Sequence, residues 1–149
     1  MDTAPKRLAV GWLLVFSTAT ALADPQFVST NLTGGVSEGD NEALDMTPDA
    51  RFIVFSAFAD DMAAGDANGY PDLVWLDRLT GSREILTVGA TYGDLEPADL
   101  ARFDASISAD GRFVVFTTRL GGMADNAGPT QFEQVYVRDR QSGQTRRIS

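Results

Sequence analysis

The sequence predicts an all-β fold that is built from two consecutive four-stranded antiparallel units. The first observation is a repeat, because "DMTPDARFIVF" at Asp45–Phe55 returns as "SISADGRFVVF" at Ser106–Phe116. The second is the alternation of apolar and polar residues within both copies, and the third is that no stretch after residue 23 has a persuasive helical period. Similarity at a period of this length is typical of repeat architectures.

The repeat continues well beyond this opening phrase. "DARFIVFSAF" from Asp49 pairs with "DGRFVVFTTR" from Asp110 at an offset of 61, and "LVWLDRLTGSREILT" from Leu73 pairs with "VYVRDRQSGQTRRIS" from Val135 at an offset of 62. Two matches in the same order, separated by loops of equal length, disfavour a chance resemblance between hairpins of a sandwich domain.

Each copy contains four predicted strands. Alternation in the third strand places Leu73 and Trp75 on one face, and the hairpin that follows contains Gly81 in the first copy and Gly143 in the second, where a positive φ is open to glycine. The predicted strands are EALDM (42–46), RFIVF (51–55), DLVWLD (72–77) and SREILT (82–87), followed by DASIS (104–108), RFVVF (112–116), QVYVRD (134–139) and TRRIS (145–149).

Four antiparallel strands per repeat, entered by S-x-D-G-R-F-V-x-F, are the outline of a propeller blade. With "SISADGRFVVFTT" and "QVYVRDRQSGQTRRIS" the chain resembles the TolB-type, WD-like β-propeller repeat family of exported bacterial proteins. The resemblance runs from about Val28 to Ser149, and Ala50 departs from it by replacing the glycine of the turn. It implies a partial β-propeller of two blades but no particular activity, because propellers serve mainly as scaffolds.

The expected organisation has five parts. A signal peptide occupies 1–23, an orphan strand ("QFVST") and linker 24–41, the first blade 42–87, the connection 88–102 and the second blade 103–149. Closed propellers have about four to eight blades. We therefore expect either an incomplete chain that continues into further blades, which we favour, or an assembly of several copies.

The first 23 residues have the order of a secretory signal. Lys6 and Arg7 form a basic start, Leu8–Phe16 is almost wholly apolar, and "ALA" ends at Ala23. The apolar run is too short for a convincing membrane span. We expect a periplasmic or extracellular protein with no stable membrane span after cleavage; an uncleaved N-terminal anchor is the alternative.

Composition excludes several kinds of chemistry. The chain has neither Cys nor His, so thiol nucleophiles, disulfides, Ser-His-Asp catalysis and His-ligated zinc are ruled out within it. Its one lysine, Lys6, lies in the predicted signal peptide. Loss of Lys6, Arg7 and Asp2 on cleavage would change the net charge from −9 to −10. Such a chain repels nucleic acid and suits cations, basic partners or further blades.

One loop carries a candidate metal site. "GDANGYPDLV" offers the oxygen atoms of Asp66, Asn68 and Asp72 around a flexible Gly69, which suits calcium. It resembles the Asp-x-Asn-Gly phrase of this propeller family and, more loosely, integrin-type calcium loops, from which it departs at Tyr70. The alternative is that these residues only build turns. No other cofactor is expected.

Asp49 and Asp110 stand at equivalent turns, so a structural role is favoured over a paired-carboxylate glycosidase site. The leading functional hypothesis is therefore a non-enzymatic exported module for protein interaction or scaffolding. The alternatives are an accessory propeller of a larger hydrolase or peptidase, and a calcium-binding surface protein.

Overall fold

The computed structural model describes residues 28, 30–37, 39–66, 70–93, 102–124 and 128–149, and these contain eight strands and no helix. The predicted signal peptide lies outside the described residues. The strands are β1 (Asn41–Met46), β2 (Phe52–Ala57), β3 (Asp72–Asp77), β4 (Arg83–Ile85), β5 (Asp104–Ile107), β6 (Phe113–Thr118), β7 (Gln134–Asp139) and β8 (Gln144–Arg147).

The strands form two antiparallel sheets in which each strand pairs with its neighbours in sequence. The sheet orders are β1-β2-β3-β4 and β5-β6-β7-β8. The central pair has the same register in both sheets, with Phe52 opposite Asp77 in the first and Phe113 opposite Asp139 in the second. The prediction of an all-β fold with two four-stranded antiparallel blades is confirmed.

Alternation along β2 and β3 gives the first sheet two apolar faces. Val54, Leu73 and Trp75 point toward the second sheet and are almost completely buried against it. We call the face that carries these residues the joint face. The core between the sheets consists of Val54, Leu73, Trp75, Leu86, Phe103, Val114, Phe116, Leu120 and Tyr136.

The opposite face of the first sheet, which we call the far face, has its own buried cluster. Ile53, Phe55 and Leu76 belong to it, and Val28 packs against it. Val28 and Thr30 are the described part of the predicted orphan strand. Thr30 forms an isolated bridge to Val36 and accepts hydrogen bonds from Arg83, one of them from Nη2 to its hydroxyl at 2.7 Å. The far face is therefore already buried in the chain itself.

The turn before β2 is built by one carboxylate. Asp49 Oδ1 accepts hydrogen bonds from the Thr47 hydroxyl at 2.6 Å and from the Arg51 backbone N–H at 3.0 Å. The Thr47 hydrogen bond is the main reason why the pKa of Asp49 lies below its usual range. Asp110 repeats this arrangement in the second sheet, so both carboxylates hold turns.

An arginine after each turn binds the end of the third strand. Arg51 donates through Nε and Nη2 to the two Asp77 oxygens at 3.1 and 2.9 Å, and Arg112 binds Asp139 at 2.9 and 2.8 Å. Two parallel bonds of this kind are the strong form of an ion pair. The hydrogen bond from Arg51 lowers the pKa of Asp77 to about 2, and the Arg112 bond lowers the pKa of Asp139 well below its usual range.

The two turns differ at one backbone position. Ala50 has φ of 54°, and Gly111, at the same point of the second turn, has φ of 72°. Left-handed backbone is costly for alanine and open to glycine. Gly111 has a second constraint, because a Cβ there would lie 2.2 Å from Cδ2 of Phe52 in the first sheet.

The strained turn predicts opposite effects of two substitutions. Ala50→Gly should stabilise the chain by about 1 kcal/mol, since relief of the left-handed strain exceeds the entropic cost of glycine. Gly111→Ala should destabilise it by about 2–4 kcal/mol, because it adds both strain and a clash with Phe52. Urea unfolding of both variants measures the effects. Equal responses at the two positions would contradict this account.

The Arg–Asp pairs predict acid sensitivity. A carboxylate whose pKa is lowered by folding stabilises the folded state above its unfolded pKa, about 4, and this stabilisation is lost as the pH falls through the folded value. The melting temperature should therefore fall between about pH 4 and pH 2, because the pKa of Asp77 in the folded chain is about 2. Asp77→Asn should melt lower at pH 7 and show a shallower decline in acid. The exposed Asp40→Asn variant is the control, and a parent chain with no decline below pH 4 would sink the prediction.

Candidate functional site

The joint face shows how this fold binds a neighbouring sheet. Phe52 and Trp75 stack with ring centroids 5.1 Å apart. The guanidinium carbon of Arg140, from the second sheet, lies 3.0 Å from the centroid of the Trp75 ring. Gly111 lies against Phe52, at a distance that only a residue without a side chain permits. The Arg140 guanidinium and the turn at Gly111 thus cover the aromatic surface of Trp75 and Phe52.

An acid completes this contact. Glu84 accepts from Arg138 at 3.0 Å and from Arg140 at 2.9 Å, and all three side chains are mostly buried. Burial is the main reason why the pKa of Arg140 lies below its usual value, and the attraction of Glu84 opposes that shift. Asp45 adds a further link by accepting the Ile107 N–H at 2.9 Å. The joint is therefore apolar at its centre and has ion pairs at its edge.

The corresponding face of the second sheet is open. Phe113 and Val115 are 39% and 40% exposed, although both belong to a central strand, and Ile148 is 61% exposed. Phe52 and Val54, their counterparts in the first sheet, face the joint. We call this open surface of the second sheet, with Val137 and Arg146, the outer face.

A cleft lies on the outer face. Its volume is about 280 Å³. The counterparts of its lining residues in the first sheet include Phe52, Trp75 and Glu84, the groups that contact Gly111, Arg138 and Arg140 at the joint. The lining residues are Phe113, Val137, Asp139, Ser142, Gln144 and Arg146. The cleft is thus the open equivalent of positions that the second sheet covers at the joint.

A second cleft, of about 360 Å³, lies beside the first strands of the two sheets. It is lined by Glu42, Arg102, Phe103, Asp104 and Glu133. Three of these side chains are acidic, which follows from the acidic composition of the chain.

The structure describes two of the three residues of the predicted calcium site. Asp66 and Asp72 are both buried, at 9% and 1% exposure, and Asn68 lies outside the described residues. Asp72 accepts a hydrogen bond from the Thr87 hydroxyl. Within the described ranges no group of three or more acidic residues could hold a metal ion. The calcium site stays a prediction.

The Thr87 hydroxyl, which Asp72 binds, also makes a structural contact that recurs in the second sheet. The Thr87 hydroxyl accepts the Leu73 N–H at 3.3 Å, and in the second sheet the Ser149 hydroxyl accepts the Val135 N–H at 2.9 Å. A hydroxyl therefore closes the end of the fourth strand onto the third in both sheets. Asp72 orients that hydroxyl in the first.

The sequence analysis missed the outer face as a site. The signal was available in the aligned repeats, because Val137 replaces Trp75 and Arg146 replaces Glu84 at corresponding positions. The sequence alone does not distinguish these differences from ordinary variation, whereas the register places each pair side by side, Trp75 opposite Glu84 and Val137 opposite Arg146.

Comparisons with known proteins give a distant structural likeness. No family model matches the chain, and no curated protein matches it. The crystal structure of TolB from Acinetobacter baumannii is similar, with a TM-score of 0.42 and 21% sequence identity over 74% of this chain. The matched part is 21% of that TolB chain, so this chain spans about a fifth of its length. In the part of the chain that the structure describes, no helix is long and apolar enough to cross a membrane.

The calcium prediction is tested by calorimetric titration of the full chain with calcium chloride. The site predicts a saturable heat that Asp66→Asn abolishes, because it removes a charged oxygen ligand. Asp104→Asn, which changes an exposed acid elsewhere, should leave the heat unchanged. Absence of heat in the parent chain, or equal heat in the Asp66→Asn and Asp104→Asn variants, would contradict the calcium prediction.

Proposed function

We propose that the chain is an exported, non-enzymatic module that binds another protein through the outer face of its second sheet. One observation carries this proposal: the outer face repeats the positions of the joint face, yet it lies open. In the first sheet those positions are covered by a neighbouring sheet. The second sheet therefore presents a surface whose counterpart in the first sheet packs against a neighbouring sheet.

The chemistry of this surface suits a macromolecular partner. Exposed Phe113, Val115 and Ile148 offer apolar contact on a rigid sheet, and large exposed apolar surfaces mark interaction sites. Arg146 and the Arg112–Asp139 pair add charge at the edge of the apolar area. A central apolar area with a charged rim is the usual anatomy of a protein interface.

Binding is proposed rather than catalysis because the sequence lacks the thiol and imidazole groups of the common nucleophilic mechanisms, and its recurring carboxylates serve the fold. The chain has no Cys and no His. Asp49 and Asp110 are committed to turns, and Asp77 and Asp139 are bound by arginines. Export is proposed from the order of charge, apolar run and small residues in the first 23 residues.

Site-specific photocrosslinking in cells that make the protein tests this function. A photoreactive phenylalanine analogue at Phe113 should give a discrete adduct with one protein, because the partner covers that ring. The same analogue at Leu79, which is 76% exposed on the hairpin of the first sheet, should give none. Equal yields at the two positions, or no adduct at Phe113, would refute the proposed surface.

A further inference from the structure

The second sheet defines the kind of partner that its outer face fits. We infer that this partner is a β-sheet unit with a glycine turn against Phe113 and a carboxylate against Arg146. This inference rests on the proposed function and adds the chemistry of the partner. It is argued from the contacts of the joint and from the residues that replace them on the outer face.

The shape of the outer face favours a glycine turn. Arg51 lies 4.6 Å from the centroid of the Phe52 ring, and Gly111 contacts the same ring. In the second sheet Arg112 lies 4.6 Å from the centroid of the Phe113 ring. Both rings contact the arginine that precedes them, although Phe52 also stacks on Trp75 and Phe113 has Val137 at that position. A turn that approaches Phe113 in the same manner as Gly111 approaches Phe52 meets the same limit. A Cβ at that point would clash.

The charge of the outer face requires an acid. At the joint, Glu84 binds Arg138 and Arg140. Arg146 stands in the place of Glu84 on the outer face, beside Val137 in the same register. Val137 also removes the aromatic surface that Arg140 uses at the joint. The outer face thus offers nothing that selects a cation, and Arg146 selects a carboxylate.

The other charges of the cleft do not change this preference. Asp139 is the acid of the cleft, and Arg112 already binds both of its oxygens at 2.9 and 2.8 Å. Arg146 is exposed. A partner that buried Arg146 without a carboxylate would leave a desolvated cation, which is costly. The replacement of Glu84 by Arg146 therefore works against a partner with arginine there.

A second copy of this chain does not meet these requirements. Its second sheet would bring Arg138 and Arg140 toward Arg146. Its first sheet would place Ala50 at the position where the partner needs glycine, and Arg78 at the position where the partner needs an acid. The far face of that sheet is also buried, with Phe55 at 3% exposure. The partner is thus a different sheet.

An extended chain tests the charge requirement. Residues 88–149 are repeated after Ser149, so that the added third unit can cover the outer face of the second. A basic version keeps the arginines of the added unit, and an acidic version carries Arg138→Glu and Arg140→Glu in that unit alone. The sequence has no cysteine. A single Val115→Cys change in the second unit therefore reports coverage through its rate of thiol labelling.

The acidic version should slow labelling on the order of tenfold relative to the unextended Val115→Cys chain, since the thiol reacts only when the units separate. The basic version should label as fast as the unextended chain. Adding Arg146→Glu to the second unit should reverse the preference. The basic version with Arg146→Glu leaves the added unit unmodified, so it decides the question even where the glutamates of the acidic version disturb that unit.

The outcomes separate the partner's chemistry from the proposed function. Equal protection by both versions would overturn the charge requirement while the outer face remains a docking surface. If no version slows labelling, including the basic version with Arg146→Glu, the inference that the partner is a β-sheet unit is overturned. The crosslink at Phe113 decides separately whether the outer face binds a protein at all.

Discussion

A guanidinium held between an indole and a carboxylate is the contact on which the rest of the structure depends. Arg140 lies over Trp75 and binds Glu84 at 2.9 Å, while Gly111 lets the second sheet approach Phe52. Each sheet is only one layer thick and must bury an apolar face against another layer. The contact fixes which faces meet, so the buried core, the far face and the outer face all follow from it.

The two sheets share the contacts that form each sheet and differ in the residues that face a neighbouring sheet. The turn carboxylates, the Arg–Asp pairs and the hydroxyls after the fourth strands recur at corresponding positions. The residues that face a neighbour vary, as Trp75 and Glu84 become Val137 and Arg146. A repeat protein needs both features, because common internal contacts form every unit, and distinct surfaces determine which units may adjoin. The proposed partner chemistry is a consequence of this division.

Local signals in the sequence were sufficient for the fold but not for the site. Alternation and β-branched runs predicted the third strands at 72–77 and 134–139 with the bounds that the structure has, and Gly81 and Gly143 adopt the positive φ expected of them. The return strands, predicted at 82–87 and 145–149, lie at Arg83–Ile85 and Gln144–Arg147, although the next residue in each still donates a backbone hydrogen bond to the third strand. The joint could not be predicted, since Glu84 and Arg140 are far apart in sequence and meet only when the sheets stack. For the calcium loop, local composition suggested ligands, whereas the burial of Asp72 beside Thr87 depends on strand pairing.

The central claim is that the two sheets stack with Phe52 against Gly111 and Trp75 beneath Arg140. The most direct measurement is a nuclear Overhauser spectrum of the isotope-labelled chain in solution. The stacked arrangement predicts strong cross-peaks between the Phe52 ring protons and the Gly111 α protons, which the ring current should also shift. It predicts further cross-peaks between the Trp75 ring and the side chain of Arg140. A folded chain with strong peaks within each sheet but none between these pairs would contradict the account.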